Sequence, residues 1–173
     1  APYPPIWVAA NNDRAVRRAA RIGDTWFINP HSTASTIGRQ MALYREELKR
    51  VGKPFPAELP CMKEVFCSTS QQRALEMAGP YLSGKYRDYA LWGQDQAMPA
   101  DETFDQPFEE LLEDRFILGS AEECYEQLRP YWEEFGVNHL LIRTHWAGMP
   151  LSTSLHSIRM ISDELLPALH SVL

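Results

Sequence analysis

The stretch Pro5–Gly23 constrains the fold of this chain most strongly, because an apolar run is followed at once by an amphipathic helix. Residues 6–10 are continuously apolar, which is typical of a strand buried on both faces in a parallel sheet. Residues 11–13 are two asparagines and an aspartate, which can cap a helix. From Arg14 onward, small apolar residues share one helical face and arginines share the other, which we interpret as solvated. Gly23 predicts the end of this helix.

The same strand–helix unit recurs along the chain. The pattern predicts strands over Ile6–Ala10, Thr25–Asn29, Met62–Cys67 and Val137–Thr144. It predicts helices over about 14–22, 34–51, from 71 to an interruption or kink at Pro80, from the capping box at 120–123 to Gly136, and over 152–169. Strands separated by helices pair in parallel through right-handed crossovers. We therefore expect an α/β fold in one domain over residues 1–173, and four such units are half of an eightfold barrel.

Residues 83–114 interrupt this alternation with a mixture of aromatic, acidic, Gly and Pro residues. The sequence predicts an irregular insert here, because long irregular segments in a domain are usually functional or disordered. Its aromatic residues favour an ordered lid or a partner surface, and plain packing is the equal alternative.

Composition excludes several classes of function. The chain has 173 residues, 45% of them hydrophobic, which is enough for one sizeable core. The net charge of −6 gives no general attraction to nucleic acid or to an anionic membrane. No apolar run has the length of a membrane span, and no signal peptide is visible. The three cysteines lack metal-site spacing, so we expect no metal and a reduced, cytoplasmic protein with structural thiols.

Three stretches, taken in order, resemble one known family. They are PPIWVAANNDRAVRRAARIGDTWF, RFILGSAEECYEQLRPYWEEFGVNHLLIRTHWAGMP and a final helix ending DELLPAL. Together they resemble the bacterial-luciferase-like, flavin-dependent monooxygenases, over the C-terminal half of that family's barrel. The resemblance implies the parallel-stranded half of a (β/α)8 TIM barrel, namely strands five to eight with their helices.

The resemblance also implies a cofactor and a site. The cofactor is reduced FMN, or the deazaflavin F420 in one branch, bound at the carboxyl ends of the strands. A helix N-terminus can hold a phosphate, although most bind only their own cap. By resemblance, the residues that hold the flavin phosphate are Ala10, Asn11, Asn12 and Arg14.

Residues at the ends of the other strands are the candidates for chemistry and for substrate contact. His145 and Glu64 are the candidate catalytic residues, and the candidate substrate pocket comprises Asn29, His31, Met62 and Trp146. Each has a structural alternative. The histidines can be solvated or capping, Glu64 can face solvent or pair with Lys63, and Trp146 can pack under the last helix. Met62 argues against a sulfonate-type anionic contact, because a sulfonate-oxidising relative carries a basic residue there.

The same resemblance predicts the partners. We expect an enzyme that adds one atom of O2 to a small organic substrate, with a flavin reductase as a supplier of reduced flavin. A half-barrel exposes two sheet edges and an apolar inner face. We therefore expect a fragment of a longer enzyme, or a homo-oligomer or association with the missing half. The alternative is a non-catalytic half-barrel that binds a phosphate-bearing ligand or a partner chain.

Overall fold

The structure, a computed structural model that describes residues 3–171, alternates strands and helices. The strands are β1 (Trp7–Ala10), β2 (Thr25–Ile28), β3 (Pro60–Cys67), β4 (Ile117–Gly119) and β5 (His139–Arg143). The helices are α1 (Asp13–Ile22), α2 (Ala34–Arg50), α3 (Gln71–Leu91), α4 (Phe108–Leu111), α5 (Ala121–Pro130), α6 (Leu151–Met160) and α7 (Leu166–His170). A π-helical turn over Tyr131–Phe135 continues α5, another over Ile161–Leu165 joins α6 to α7, and a 3₁₀ turn spans Gln94–Ala97.

All strand pairs in the sheet are parallel. β1 pairs with β2, β2 with β3, and β3 with β5. The prediction of four neighbouring strands that run in the same direction is therefore confirmed, and with it the half-barrel of βα units. β4 is an additional three-residue strand that pairs with residues 65–67 of β3, beyond the segment that pairs with β5. So short a run carries no periodicity that a sequence pattern could reveal.

The main core lies between the sheet and its outer helices. Trp26 on β2 and Val65 on β3 point outward and are almost completely buried against helix residues such as Ile37 and Leu128. Alternate residues of the same strands face inward, as the period of two requires. Among these, Phe27 and Met62 are only partly buried.

The arginines of α1 are not simply solvated, which corrects our interpretation of that face. Arg17 and Arg21 bind the carboxylate of Glu47 on α2, and Arg50 binds it from the following turn. These partners, Arg50 foremost, hold the pKa of Glu47 at about 2. The cluster joins the outer surfaces of α1 and α2.

Of the two expectations at Pro80, an interruption or a kink, the interruption is wrong, because α3 runs unbroken from Gln71 to Leu91. The helix buries a stripe of residues spaced four apart, namely Ala74, Ala78, Leu82 and Tyr86. Their burial in a second apolar core offsets the about 3 kcal/mol that an internal proline costs. The insert is consequently helical as far as Leu91, and its irregular part begins later than Ser83.

The apolar spacing predicts that the last helix buries Leu155, Ile158, Ile161, Leu165 and Leu166, and Ile161 and Leu165 are buried as predicted. Leu155 and Ile158 are 38% and 44% exposed, and Leu166 is 37% exposed. Ser154 and Ser157 are buried instead, and the hydroxyl of Ser157 accepts a hydrogen bond of 2.9 Å from the Cys67 backbone N–H at the end of β3. A polar contact with the strand thus decides which face of the helix turns inward.

The three cysteines are buried and free, as the spacing predicts, with Cys67 Sγ 3.4 Å from Cys124 Sγ. None of the helices in the described residues is long and apolar enough to cross a membrane.

Candidate functional site

The carboxyl ends of the strands bring four polar side chains to one rim of the sheet. Ala10 is level with Ile28 in the register of β1 and β2, so the next residues, Asn11 and Asn29, lie side by side. The Asn29 side-chain amide donates to Asn11 Oδ1. On the other side, Glu64 of β3 is level with Arg143 of β5. We call these four residues, Asn11, Asn29, Glu64 and Arg143, the rim.

Glu64 is fully buried, and both its carboxylate oxygens are occupied. Lys85 of α3 donates to Oε1, and the Trp146 indole N–H donates to Oε2 at 2.5 Å. Arg143 Nη1 lies 3.5 Å from Oε1. Lys63, the alternative partner considered above, points to the other face and donates to the Ser32 carbonyl.

The other residues from the end of β5 differ sharply in exposure. Trp146 is 3% exposed and packs on Phe66, with ring centroids 6.2 Å apart. His145 is exposed and lines a cavity between α3 and the end of β5. Met62 lies one level below Glu64 on the same face, with its sulfur 3.7 Å from Arg143 Nη2.

His31 lies beneath the insert. Its ring makes edge contacts with Tyr86, Tyr89 and Phe104, and its Nδ1 is buried with no hydrogen-bond partner within residues 3–171. Burial foremost, and then the positive charges of Lys85 and other cations, lower the pKa of His31 to about 3. The ring is therefore neutral at physiological pH.

The N-terminus of α1 lies beside the rim. The Asn12 side chain accepts from the Ala15 N–H at 2.9 Å, and its amide group donates to the Ala97 carbonyl at 3.1 Å. Ala10 is buried, and its carbonyl accepts from the Trp26 indole at 3.0 Å. Arg14 is exposed. Of the four residues predicted to hold a phosphate, Asn12 is thus occupied as a helix cap.

The remaining donors at this end suit a phosphate. Within residues 3–171, Asn11 Nδ2 makes no hydrogen bond, and the N–H groups of Asp13 and Arg14 belong to the first turn, which has no intrahelical acceptors. The Asp13 carboxylate would repel an anion, but it is turned to α2, where Arg39 binds it at 2.7 Å. An amide, two backbone N–H groups and a guanidinium therefore remain to bind a phosphate.

Sequence reasoning missed two cations of this site. Arg143 could have been found, because alternation from Leu141 places it on the inner face of β5. Lys85 could not, because it lies in a segment interpreted as irregular and reaches Glu64 only through the docking of α3.

One known protein family matches this chain. A family model described as luciferase-like monooxygenase matches residues 1–139. No curated protein matches the chain.

Similar folds are found among solved structures. The monooxygenase RslO1 from Streptomyces bottropensis superposes with a TM-score of 0.69 at 19% identity, over 96% of this chain and 48% of its own. The oxygenating constituent of 3,6-diketocamphane monooxygenase from Pseudomonas putida, solved with FMN, gives 0.64 at 19% identity, over 95% and 48%. The coenzyme F420-dependent tetrahydromethanopterin reductase from Methanopyrus kandleri gives 0.65 at 11% identity, over 95% and 50%.

This chain spans about half the length of each of these three proteins. At such identities the likeness concerns the fold alone. The match to the family model covers most of the sequence, and the fold agrees with it, so the chain belongs to the luciferase-like monooxygenase family.

Proposed function

We propose that this chain is the C-terminal part of a flavin-dependent monooxygenase that uses reduced FMN and O2 to oxygenate a small organic substrate. The observation that carries the proposal is the rim, where four parallel strands end in polar side chains, and where Asn11 leads into a helix N-terminus with free donors. Ligands of barrels built from βα units bind at this end of the strands.

The flavin phosphate would be held by Asn11, by the N–H groups of Asp13 and Arg14, and by the Arg14 guanidinium. Ala10 and Asn12 contribute by shaping the turn, since their own polar groups are engaged. FMN is the proposed cofactor and F420 is the alternative, because solved relatives of both kinds share the fold.

A bound reduced flavin would supply the electrons that activate O2, with one oxygen atom entering the substrate and the other leaving as water. In this proposal Glu64 is a positioning residue, because Lys85 and Trp146 occupy its oxygens. His145 is the exposed group that exchanges a proton at an imidazole nitrogen. Asn29, His31, Met62 and Trp146 line the substrate side, and the insert excludes water from it.

We further propose that the concave face is completed by the other half of a barrel, or by a second copy of this chain. Within the described residues, β1 and β5 each pair with a single strand, so each has one open edge. Leu151, Leu155 and Ile158 form an exposed apolar stripe on α6, which a covering half would bury. A flavin reductase remains the proposed source of reduced cofactor.

Flavin titration tests the phosphate assignment. FMN and riboflavin are titrated into the chain, alone and with the other half of the barrel supplied as a second polypeptide, and flavin fluorescence is followed. Asn11→Asp should weaken FMN binding far more than riboflavin binding, because it places a negative charge against the phosphate. Gln72→Glu adds the same charge at an exposed position of α3 and is the matched control. It should change neither the affinity for FMN nor the affinity for riboflavin.

Equal effects of Asn11→Asp on both flavins would contradict the phosphate assignment. Tight self-association of the chain with no response to flavin, with or without the other half, would favour the non-catalytic alternative.

A further inference from the structure

The cavity between α3 and the end of β5 is lined mainly by aromatic and basic residues. Its volume is about 460 Å³, within the range of small-molecule sites. Its principal walls are Tyr81, Lys85, Tyr89, Trp92, Arg143 and Trp146.

The positive charge of this cavity is not fully neutralised. Lys85 forms the close pair with Glu64 and thereby compensates the buried carboxylate. Arg143 lies 3.5 Å from the same carboxylate, and its side chain remains 38% exposed. The other charged lining residues, Arg87 and Asp88, carry one charge of each sign, and both are exposed on α3. One guanidinium charge is therefore left facing the cavity.

His31, beneath the insert, lies among charges of the same sign. Besides burial, which is the main cause, the charges that lower its pKa to about 3 are those of Lys85, Arg143, Lys63 and Arg115. Every one of them is a cation, so the charges that act on His31 are positive. An anionic group entering the cavity would be attracted by these charges.

We infer that this cavity binds an organic acid with an aromatic or otherwise apolar body, whose carboxylate is held by the Arg143 guanidinium. The planar guanidinium can donate two parallel hydrogen bonds to a carboxylate. The exposed ring of Trp92 and the partly exposed ring of Tyr89 would receive the apolar body. Met62 is uncharged, and the Arg143 guanidinium beside its sulfur supplies the positive charge that the carboxylate would bind. The inference rests on the proposed function, for which it names the class of substrate.

The test compares an acid with its neutral isostere. 2-Naphthoate and 2-naphthamide are titrated into the chain, and binding is measured by calorimetry. Naphthoate should bind the unmodified chain at least about tenfold more tightly than naphthamide. Arg143→Gln should remove that preference, and its affinity for naphthamide should stay within about twofold of that of the unmodified chain. Arg143→Lys should retain part of it. Arg87→Gln, which removes an exposed cation from the same wall, is the matched control and should leave most of the preference.

Titration of FMN and riboflavin on the same variants separates this inference from the proposed function. If Arg143→Gln weakens FMN relative to riboflavin as strongly as it weakens naphthoate, then Arg143 holds the flavin phosphate and the inference is overturned. Equal affinity for naphthoate and naphthamide, or no binding of either at millimolar concentration, also overturns it. Arg143-dependent naphthoate binding with no flavin binding in the reconstituted barrel would support the acid site and reject the flavin enzyme.

Discussion

The two faces of the sheet are made from alternate residues of the same strands, and they have different tasks. On the outer face, Trp26 and Val65 are buried by helices within this chain. On the concave face, Trp7, Phe27 and Met62 are only partly covered, and the rim above them carries amides and charges. The difference shows that the outer face stabilises the half-barrel, while the concave face is available for ligands and for a covering partner.

The largest predicted effect is on stability, and it distinguishes two adjacent residues, Trp26 and Phe27, whose side chains lie on opposite faces of the sheet. Trp26→Ala should cost about 3–5 kcal/mol, because it leaves a cavity and removes a buried hydrogen bond to Ala10. Phe27→Ala should cost no more than about 1 kcal/mol in the isolated chain, because Phe27 is partly exposed and loses mainly its stacking on Trp7. Urea unfolding measures both, and equal losses would refute the distinction between the faces.

Lys85→Met should have the next largest effect, at the rim. The substitution leaves the Glu64 carboxylate buried without its close cation. Removing one partner of a buried ion pair costs about 3–5 kcal/mol of stability. The nearby charge of Arg143 should reduce this loss. The double variant with Glu64→Gln should recover part of the loss, since the buried charge is then gone. A double variant no more stable than Lys85→Met would show that loss of the Lys85–Glu64 pair does not cause the loss of stability.

His31 should make stability depend on pH at the concave mouth. Its folded pKa of about 3 is below its ordinary value of 6.5. Above pH 6.5, His31 adds no pH dependence to the stability. Between pH 6.5 and 3, the His31 side chain binds a proton in the unfolded chain but not in the folded chain. Stability therefore falls as the pH falls, by about 2–3 kcal/mol at pH 4.5. His31→Phe should remove this loss, and exposed His170→Asn should not, as urea unfolding at pH 7 and 4.5 would show.

The smallest effect should come from the exposed stripe of α6. Leu155→Ser and Ile158→Ser should each cost less than about 1 kcal/mol in the isolated chain, because 38% and 44% of these residues already face solvent. In a reconstituted barrel the same substitutions should weaken association of the two halves, measured by sedimentation. A large loss in the isolated chain would mean that the stripe already packs against this chain.

The elements of the half-barrel could be predicted because each repeats a local pattern. The apolar run before Asn11, the cap and the helix after it are all encoded within a few residues. The capping box at Ser120 was likewise visible, and it forms as predicted. β4 and the second half of α3 could not be predicted, because they depend on burial in the second core, to which residues distant in sequence contribute.

Three of the four rim residues could be anticipated in the same way. Asn11, Asn29 and Glu64 follow from the rule that parallel strands end at one rim. The roles of their side chains did not follow, since the partners of Glu64 come from α3 and from the residues after β5.

The sequence by itself determined the alternation of strands and helices, the parallel sheet and the family, because these depend on periodicity and on short-range capping. Only the tertiary structure decided which carboxylate is neutralised and which guanidinium remains free. It also decided that Ser157, rather than Leu155, turns toward the sheet. The physical reason is that the pairing of charges and the choice of a buried face depend on distances between residues far apart in the chain, which no local pattern contains.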